Sequence, residues 1–257
     1  MINNNQNKQR KPMKNYAILT ILALSFFGLN ACNSDDNAGE NSSPQTNLMP
    51  QKFTYAGKGS EIFMYNNDKN ITKYTYNVGD EFYQYSFTYI NQKLANVIYE
   101  DLNNSKKEYI VYYESEGTIK IEEKVHNAVI ETNYLKINSD GSLRGDLEGN
   151  SFTYSNGNLS QWISDGTVKL SFDYYTDQAS YFRNVRTPSW VFTFFKLHTL
   201  AKNKNQLKSF EDEKGAITNF TYSDYQIENF PRNIDISKSN SDEVEAVKVT
   251  YTPTTTH

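Results

Sequence analysis

From Phe82 to Tyr89 the chain reads FYQYSFTY, in which Tyr83, Tyr85, Phe87 and Tyr89 alternate with Gln84, Ser86 and Thr88. A period of two puts all four rings on one face of an extended strand, whereas a helix would scatter them around its axis. The same alternation marks Ile119/Ile121, Phe220/Tyr222 and Val247/Val249/Tyr251. Between such runs sit Asp140-Gly141, Asn156-Gly157 and Asp165-Gly166, dipeptides that accept the positive φ angles of tight hairpin turns. Neighbouring strands are therefore expected to be antiparallel, and the fold class to be all-β.

The unit recurs. Phe-Thr-Tyr begins at Phe53, Phe87, Phe152 and Phe220, at separations of 34, 65 and 68 residues, or about one, two and two periods of ~33. Val111-Tyr112-Tyr113 and Phe172-Asp173-Tyr174 are weaker counterparts that fall off this spacing. Asp68-Lys69-Asn70-Ile71 leads into Tyr74-Thr75-Tyr76 much as Glu213-Lys214-Gly215-Ala216-Ile217 leads into Phe220. A meander of repeated hairpins follows, either a twisted sheet or barrel-like, each unit stacking on the next.

Twenty Tyr, fifteen Phe and two Trp suit pleated surfaces on which a ring covers its cross-strand neighbour and a tyrosine hydroxyl reaches water. With a mean hydropathy of −0.72, one face of most strands is expected to be wet. These strands are too polar for the continuous outward apolar band of a transmembrane barrel. One stretch departs from the pattern. Thr187-Pro188 reads as an N-cap followed by proline at the first helical position, and Trp190, Val191, Phe194, Phe195 and His198 fall at helical spacing. This predicts one short helix around 188–201, packed on a face or end of the sheet, with a bulky strand as the alternative.

Ahead of the repeats, Lys8, Arg10, Lys11 and Lys14 precede an apolar run from Tyr16 to Leu29. That run has the length of a secretory signal core and is too short to span a bilayer. Leu29-Asn30-Ala31-Cys32 resembles the lipobox of lipoprotein signal peptides, which implies cleavage before Cys32 and lipid on its sulfur. Asn30 departs from the small residues commonest there. Cys32 is the one cysteine of the chain and cannot form an internal disulfide. Met13-Lys14 offers a second start site, leaving Met1 to Pro12 as an extension. The domains are read as signal peptide 1–31, lipidated cysteine and flexible tether 32–50, and a single β-repeat domain 51–257. The tether is rich in Asn, Ser, Asp and Pro and cannot bury enough apolar surface to order itself.

Cleavage removes four of the 26 basic residues and none of the 30 acidic ones, leaving 22 against 30 and a formal charge of −8. Such a domain repels nucleic acid and anionic lipid, so its membrane contact is expected to run through the lipid alone. Ser34-Asp35-Asp36 resembles the acidic export signal of surface lipoproteins in the Bacteroidetes. It implies an outer-membrane lipoprotein on the cell surface, with the periplasmic face as the alternative.

From Phe53 to Tyr251 the chain resembles Bacteroidetes lipoproteins of unknown function with a porin-like β repeat, themselves similar to YD/RHS repeats. The Tyr-Thr-Tyr and Phe-Thr-Tyr units carry the resemblance, with the closing stretch from Phe220-Thr221-Tyr222 through Phe230-Pro231 to Ile234. Most of the family's Tyr-Asp pairs are missing. The resemblance implies fold and location, and no activity.

Chemistry is sparse. His126, His198 and His257 are scattered, and the chain has no His-Glu-x-x-His, cysteine pair, phosphate loop or Gly-x-Ser-x-Gly elbow. No catalytic residue, metal site or cofactor is indicated. His198 reads as a packing residue, Glu211-Asp212-Glu213 and Asn66 to Asn70 as solvated turns. Three readings remain: a non-enzymatic binding or envelope-associated module for a glycan or envelope protein, a surface glycoside hydrolase built on paired carboxylates, and a structural part of a surface assembly.

Overall fold

A computed structural model describes residues 48–115, 117–198, 202–227 and 230–253. Sixteen strands follow in chain order among them. The first eight are β1 (Leu48–Tyr55), β2 (Gly59–Tyr65), β3 (Ile71–Val78), β4 (Glu81–Ile90), β5 (Lys93–Asp101), β6 (Lys106–Ser115), β7 (Thr118–Val125) and β8 (Ala128–Ile137). The rest are β9 (Leu143–Asp146), β10 (Asn150–Ser155), β11 (Asn158–Ser164), β12 (Thr167–Ala179), β13 (Asn205–Asp212), β14 (Ile217–Tyr225), β15 (Pro231–Lys238) and β16 (Val244–Pro253). Each pairs antiparallel with its predecessor, and β16 closes on β1, with Leu48 opposite Pro253 and Tyr55 opposite Val247. Of the two forms the hairpins allowed, the chain takes the closed barrel. Closure pairs the two edges that an open meander leaves bare.

The turn dipeptides act through their φ angles. Asn156 and Gly157 sit at φ 52° and 79°, Asp165 and Gly166 at 49° and 75°, as two-residue hairpins demand. Asp140-Gly141 belongs to a wider turn in which only Gly141 is left-handed and the Asp140 carboxylate accepts the amide of Ser142. Strand direction alternates, so the β1–β2 turn and each second turn after it lie at one end, the far end. Leu48, Pro253 and the remaining turns lie at the near end.

The wall is sided. On β3, Tyr74, Tyr76 and Val78 are buried while Lys73, Thr75 and Asn77 face outward; on β16, Val247, Val249 and Tyr251 alternate with exposed Lys248 and Thr250. On these two strands the polar outward side chains are the reverse of a lipid-facing band, whereas β8 exposes Val129 and Ile130. All four Phe-Thr-Tyr units turn their rings into the lumen, from Phe53 and Tyr55 on β1 to Phe220 and Tyr222 on β14. The expectation that tyrosine hydroxyls reach water is corrected for several inward-facing tyrosines. Inside a barrel a hydroxyl finds a carbonyl or carboxylate instead, as Tyr65 does at Pro50 O (2.6 Å), Tyr222 at Leu207 O (3.1 Å) and Tyr251 at Pro231 O (2.7 Å).

The lumen is filled by the chain itself. Between β12 and β13 the described residues 180–198 and 202–204 leave the wall at the near end, enter the barrel and bury Tyr181, Phe182, Val185, Trp190, Val191, Phe192, Phe195 and Leu197. Its polar backbone groups bond to the near-end turns: the amide of Arg186 donates to Lys69 O (2.9 Å) and that of Trp190 to Gly141 O (3.0 Å). The helix predicted over 188–201 is the short α1 (Ser189–Phe194) within this plug. It starts late because Pro188 keeps an extended ψ of 145°, so the hydroxyl of Thr187 caps nothing and accepts the amide of Ile71 (2.7 Å) instead. It ends early because Lys196 and His198 turn to positive φ, 52° and 28°. The helix packs inside the barrel rather than on a face or end of a sheet. β1 begins at Leu48, within the stretch read as tether; the remainder of that stretch lies outside the described residues.

Candidate functional site

Two features of the interior merit a functional reading. The first is the deepest point of the plug. His198 lies against the ring of Phe53, centroids 3.7 Å apart, with Nδ1 3.0 Å from Glu61 Oε2 and Nε2 3.0 Å from the Tyr181 hydroxyl. Glu61 comes from β2, and its carboxylate also accepts the hydroxyl of Tyr74 (2.7 Å) and that of Tyr55. The carboxylate needs donors, so Nδ1 carries the hydrogen facing it and Nε2 accepts from Tyr181 in the neutral ring. Burial, and then the Glu61 charge, push the phenols of Tyr55 and Tyr74 well above their ordinary range.

Acid, imidazole and hydroxyl in line have the look of a catalytic relay. Yet the side chains of His198 and Glu61 are 0% and 1% exposed, so no substrate reaches them. The arrangement locks the plug to the wall. Sequence reasoning placed His198 as a packing residue and missed Glu61, 137 residues away. A carboxylate inside an otherwise aromatic strand face was the visible signal: Glu61 shares its face of β2 with Phe63.

The second feature is a cleft of about 510 Å³ at the near end. β11 and β12 pair from Ser164/Thr167 only as far as Gln161/Ser171, after which they part. On its other side β12 matches β13 up to Tyr174/Leu207 and then skips to Ala179/Asn205, so Tyr175 to Gln178 bulge from the ladder. Asparagines hold the gap open. The amide nitrogen of Asn158 donates to Asn205 Oδ1 (3.1 Å), the Asn205 backbone returns a bond to Asn158 Oδ1 (2.7 Å), and Leu159 N–H reaches Asn203 Oδ1 (2.8 Å). Phe172, Tyr174 and Tyr175 line the space with half-buried rings.

Around the cleft, polar groups are left over. The hydroxyls of Tyr154 and Tyr174 and both ends of the Gln178 amide are buried without a hydrogen-bond partner among the described residues. Tyr154 is the weakest case of the three, since Thr193, Leu143 and Ser142 lie near enough to its hydroxyl to oppose the effect of burial, which still dominates and raises that phenol to about 12. Each orphaned group costs about 1–3 kcal/mol. The off-period Phe172-Asp173-Tyr174 counterpart was the trace of this bulge in the sequence.

The remaining expectations place simply. Asn66 to Asn70 form the β2–β3 turn, with Asn66 Oδ1 accepting the Asn70 amide (2.9 Å). Asp212 braces the β13–β14 turn by accepting the amides of Lys214 and Ala216, and Glu213 pairs with Lys169. His126 occupies the β7–β8 turn at φ 50°. Glu131 and Glu148 approach each other at the far end, where burial and then Asp146 and Glu131 raise the Glu148 carboxyl; the cleft is at the opposite end. Among the described residues no three His, Asp or Glu side chains converge as a metal site. Leu29, Asn30, Ala31, Cys32, Ser34, Asp35, Asp36 and His257 lie outside the described residues.

No family profile matches the chain, and no curated protein matches it significantly. Among solved structures it is similar to a porin-like protein from Bacteroides uniformis, at 14% identity and a TM-score of 0.42 over 80% of this chain and 98% of that one. A porin-like protein from Bacteroides vulgatus matches at 13% identity and a TM-score of 0.37, over 80% and 99%. The likeness is one of distant overall shape.

Proposed function

We propose that the protein is a lipid-anchored, non-enzymatic barrel of the bacterial envelope that binds its target rather than transforming it. The observation that carries this reading is a wall with polar side chains outside around a lumen closed by its own plug. The outward side chains Lys73, Thr75 and Asn77 on β3 and Lys248 and Thr250 on β16 are polar, unlike an apolar girdle facing lipid, and the plug's rings occupy the lumen, so this reading gives attachment to the leader and Cys32. Ser34-Asp35-Asp36 favours the outer face of the outer membrane. The glycosidase reading requires two carboxylates facing each other across an aromatic cleft. Asp173 is the one acid lining this cleft, and Lys208 pairs with it at 2.8 Å.

Mass spectrometry of the mature N-terminal peptide tests the anchor. The expected result is a diacylglyceryl-modified Cys32, with Cys32→Ser releasing the protein from the membrane fraction. An unmodified cysteine behind an uncleaved leader would sink the proposal. On intact cells, added protease is expected to reach the protein, and replacing Ser34-Asp35-Asp36 with alanines to shield it.

A further inference from the structure

The near-end cleft joins three things that seldom meet without a ligand: part-exposed rings, a fixed opening and a near-neutral polar rim. We propose that it is a binding site for a neutral sugar ring, with the rings of Phe172, Tyr174 and Tyr175 as the surface on which the ring stacks. This deepens the binding reading above and rests on it.

The volume of about 510 Å³ lies within the ~300–1,000 Å³ of small-molecule sites and accommodates a disaccharide. The opening is built, since β11 and β12 part beyond Gln161/Ser171 and the Asn158–Asn205 clasp ties β11 to the start of β13 there. The charges select the class of ligand. Asp173 is neutralised by Lys208, which leaves Lys204 as the single unpaired charge among the lining residues, too little for a phosphate or other polyanion and of the wrong sign for a cation. What remains is aromatic faces for an apolar ring face, and the side chains of Asn156, Thr176 and Lys204, which have no hydrogen-bond partner among the described residues, for hydroxyls at its edge. Tyr174 adds an independent sign. Its hydroxyl is buried with no partner while the residue lines the cleft, so the side chain is held there at a cost.

The test uses the full-length protein in a zwitterionic detergent, because sugar-headed detergents would compete. Cellobiose, maltose, lactose and diacetylchitobiose are titrated by calorimetry and by saturation-transfer NMR, with adenosine as a flat aromatic control. At least one disaccharide is expected to bind with a Kd of about 1 mM or tighter. Phe172→Ala and Ser155→Trp, the latter an exposed position that a large ring would fill into the cleft, are expected to weaken it about tenfold or more. Tyr174→Phe keeps the ring and is expected to stay within about twofold. A melting temperature unchanged for Ser155→Trp, and no lower than that of the unaltered protein for Tyr174→Phe, guards against misfolding. The proposal is overturned by no binding of any disaccharide at about 10 mM, by binding that Ser155→Trp leaves untouched, or by adenosine binding in place of the sugars. Sugar binding that ignores the cleft variants would retain the binding module and remove only this site, whereas loss of the lipid anchor would remove the envelope reading and leave the cleft intact.

Discussion

The β1–β7 half of the barrel and the β10–β14 half are built from the same repeat and end in different states. In the first, the plug meets the wall ring against ring: Phe195 touches Tyr85, Phe87 and Tyr109, and Phe182 touches Phe53 and Phe63. There Phe53, Phe63 and Tyr74 are at most 1% exposed, and Glu61, His198 and Tyr181 satisfy one another. In the second half, Phe152, Tyr154, Phe172, Tyr174 and Tyr175 remain half-buried and two hydroxyls and an amide lack partners. The open patch is local to the bulge in β12, since Leu207, Phe210 and Phe220 beside it are buried. The comparison separates residues that hold the barrel from residues that it displays.

The largest effect is expected where the plug is anchored. Trp190→Ala, 2% exposed in the native fold, is expected to cost about 3–5 kcal/mol in urea unfolding, against about 1–2 kcal/mol for Phe172→Ala on the open side. Equal costs would break the distinction between the halves. Glu61→Gln comes next, at about 2–3 kcal/mol, because an amide turns donors toward hydroxyls that must donate.

Alkali sharpens the contrast. The folded phenols of Tyr55, Tyr65 and Tyr74 are raised well above 10.0, foremost by burial, so the native state holds protons that the unfolded chain gives up. The stability they supply is therefore complete below pH 10 and is lost as pH climbs toward the folded values, at a limiting slope of about 1.4 kcal/mol per pH unit for each phenol. On the open side burial likewise raises Tyr174 well above 10.0, but Tyr154 and Tyr225 only to about 12. Phenolate absorbance should show these last two ionising in the folded protein before the β1–β3 set, which is expected to appear only with unfolding. A single step for all would contradict the two-state lining. The smallest effect carries the opposite sign: Tyr174→Phe removes an orphaned hydroxyl and is expected to stabilise by about 1 kcal/mol in the same urea assay.

Much of the wall was legible. Alternation in Phe82 to Tyr89 and the Asn-Gly and Asp-Gly turns state local rules that the barrel obeys, because a strand's sidedness and a hairpin's φ angles depend on adjacent residues alone. The segment around Trp190 was legible in part: its helical spacing is real, but what it packs against lies far off in the chain, at Gly141 beside β9 and at Tyr85, Phe87 and Tyr109 on β4 and β6. Glu61 and His198 could not be joined from the sequence for the same reason. The cleft showed only as Phe172-Asp173-Tyr174 out of step with the other repeats.

By itself, then, the sequence determined the all-β class, the tight turns at Asn156-Gly157 and Asp165-Gly166, and the shared face of runs such as Tyr83 to Tyr89, Phe220/Tyr222 and Val247/Val249/Tyr251. Tertiary structure alone decided that the meander closes, that the plug goes inside, and that β11 parts from β12. Those outcomes depend on register and on volume summed over sixteen strands. The space left for a ligand is a difference between what the wall encloses and what the plug fills, and no local stretch of chain encodes a difference of that kind.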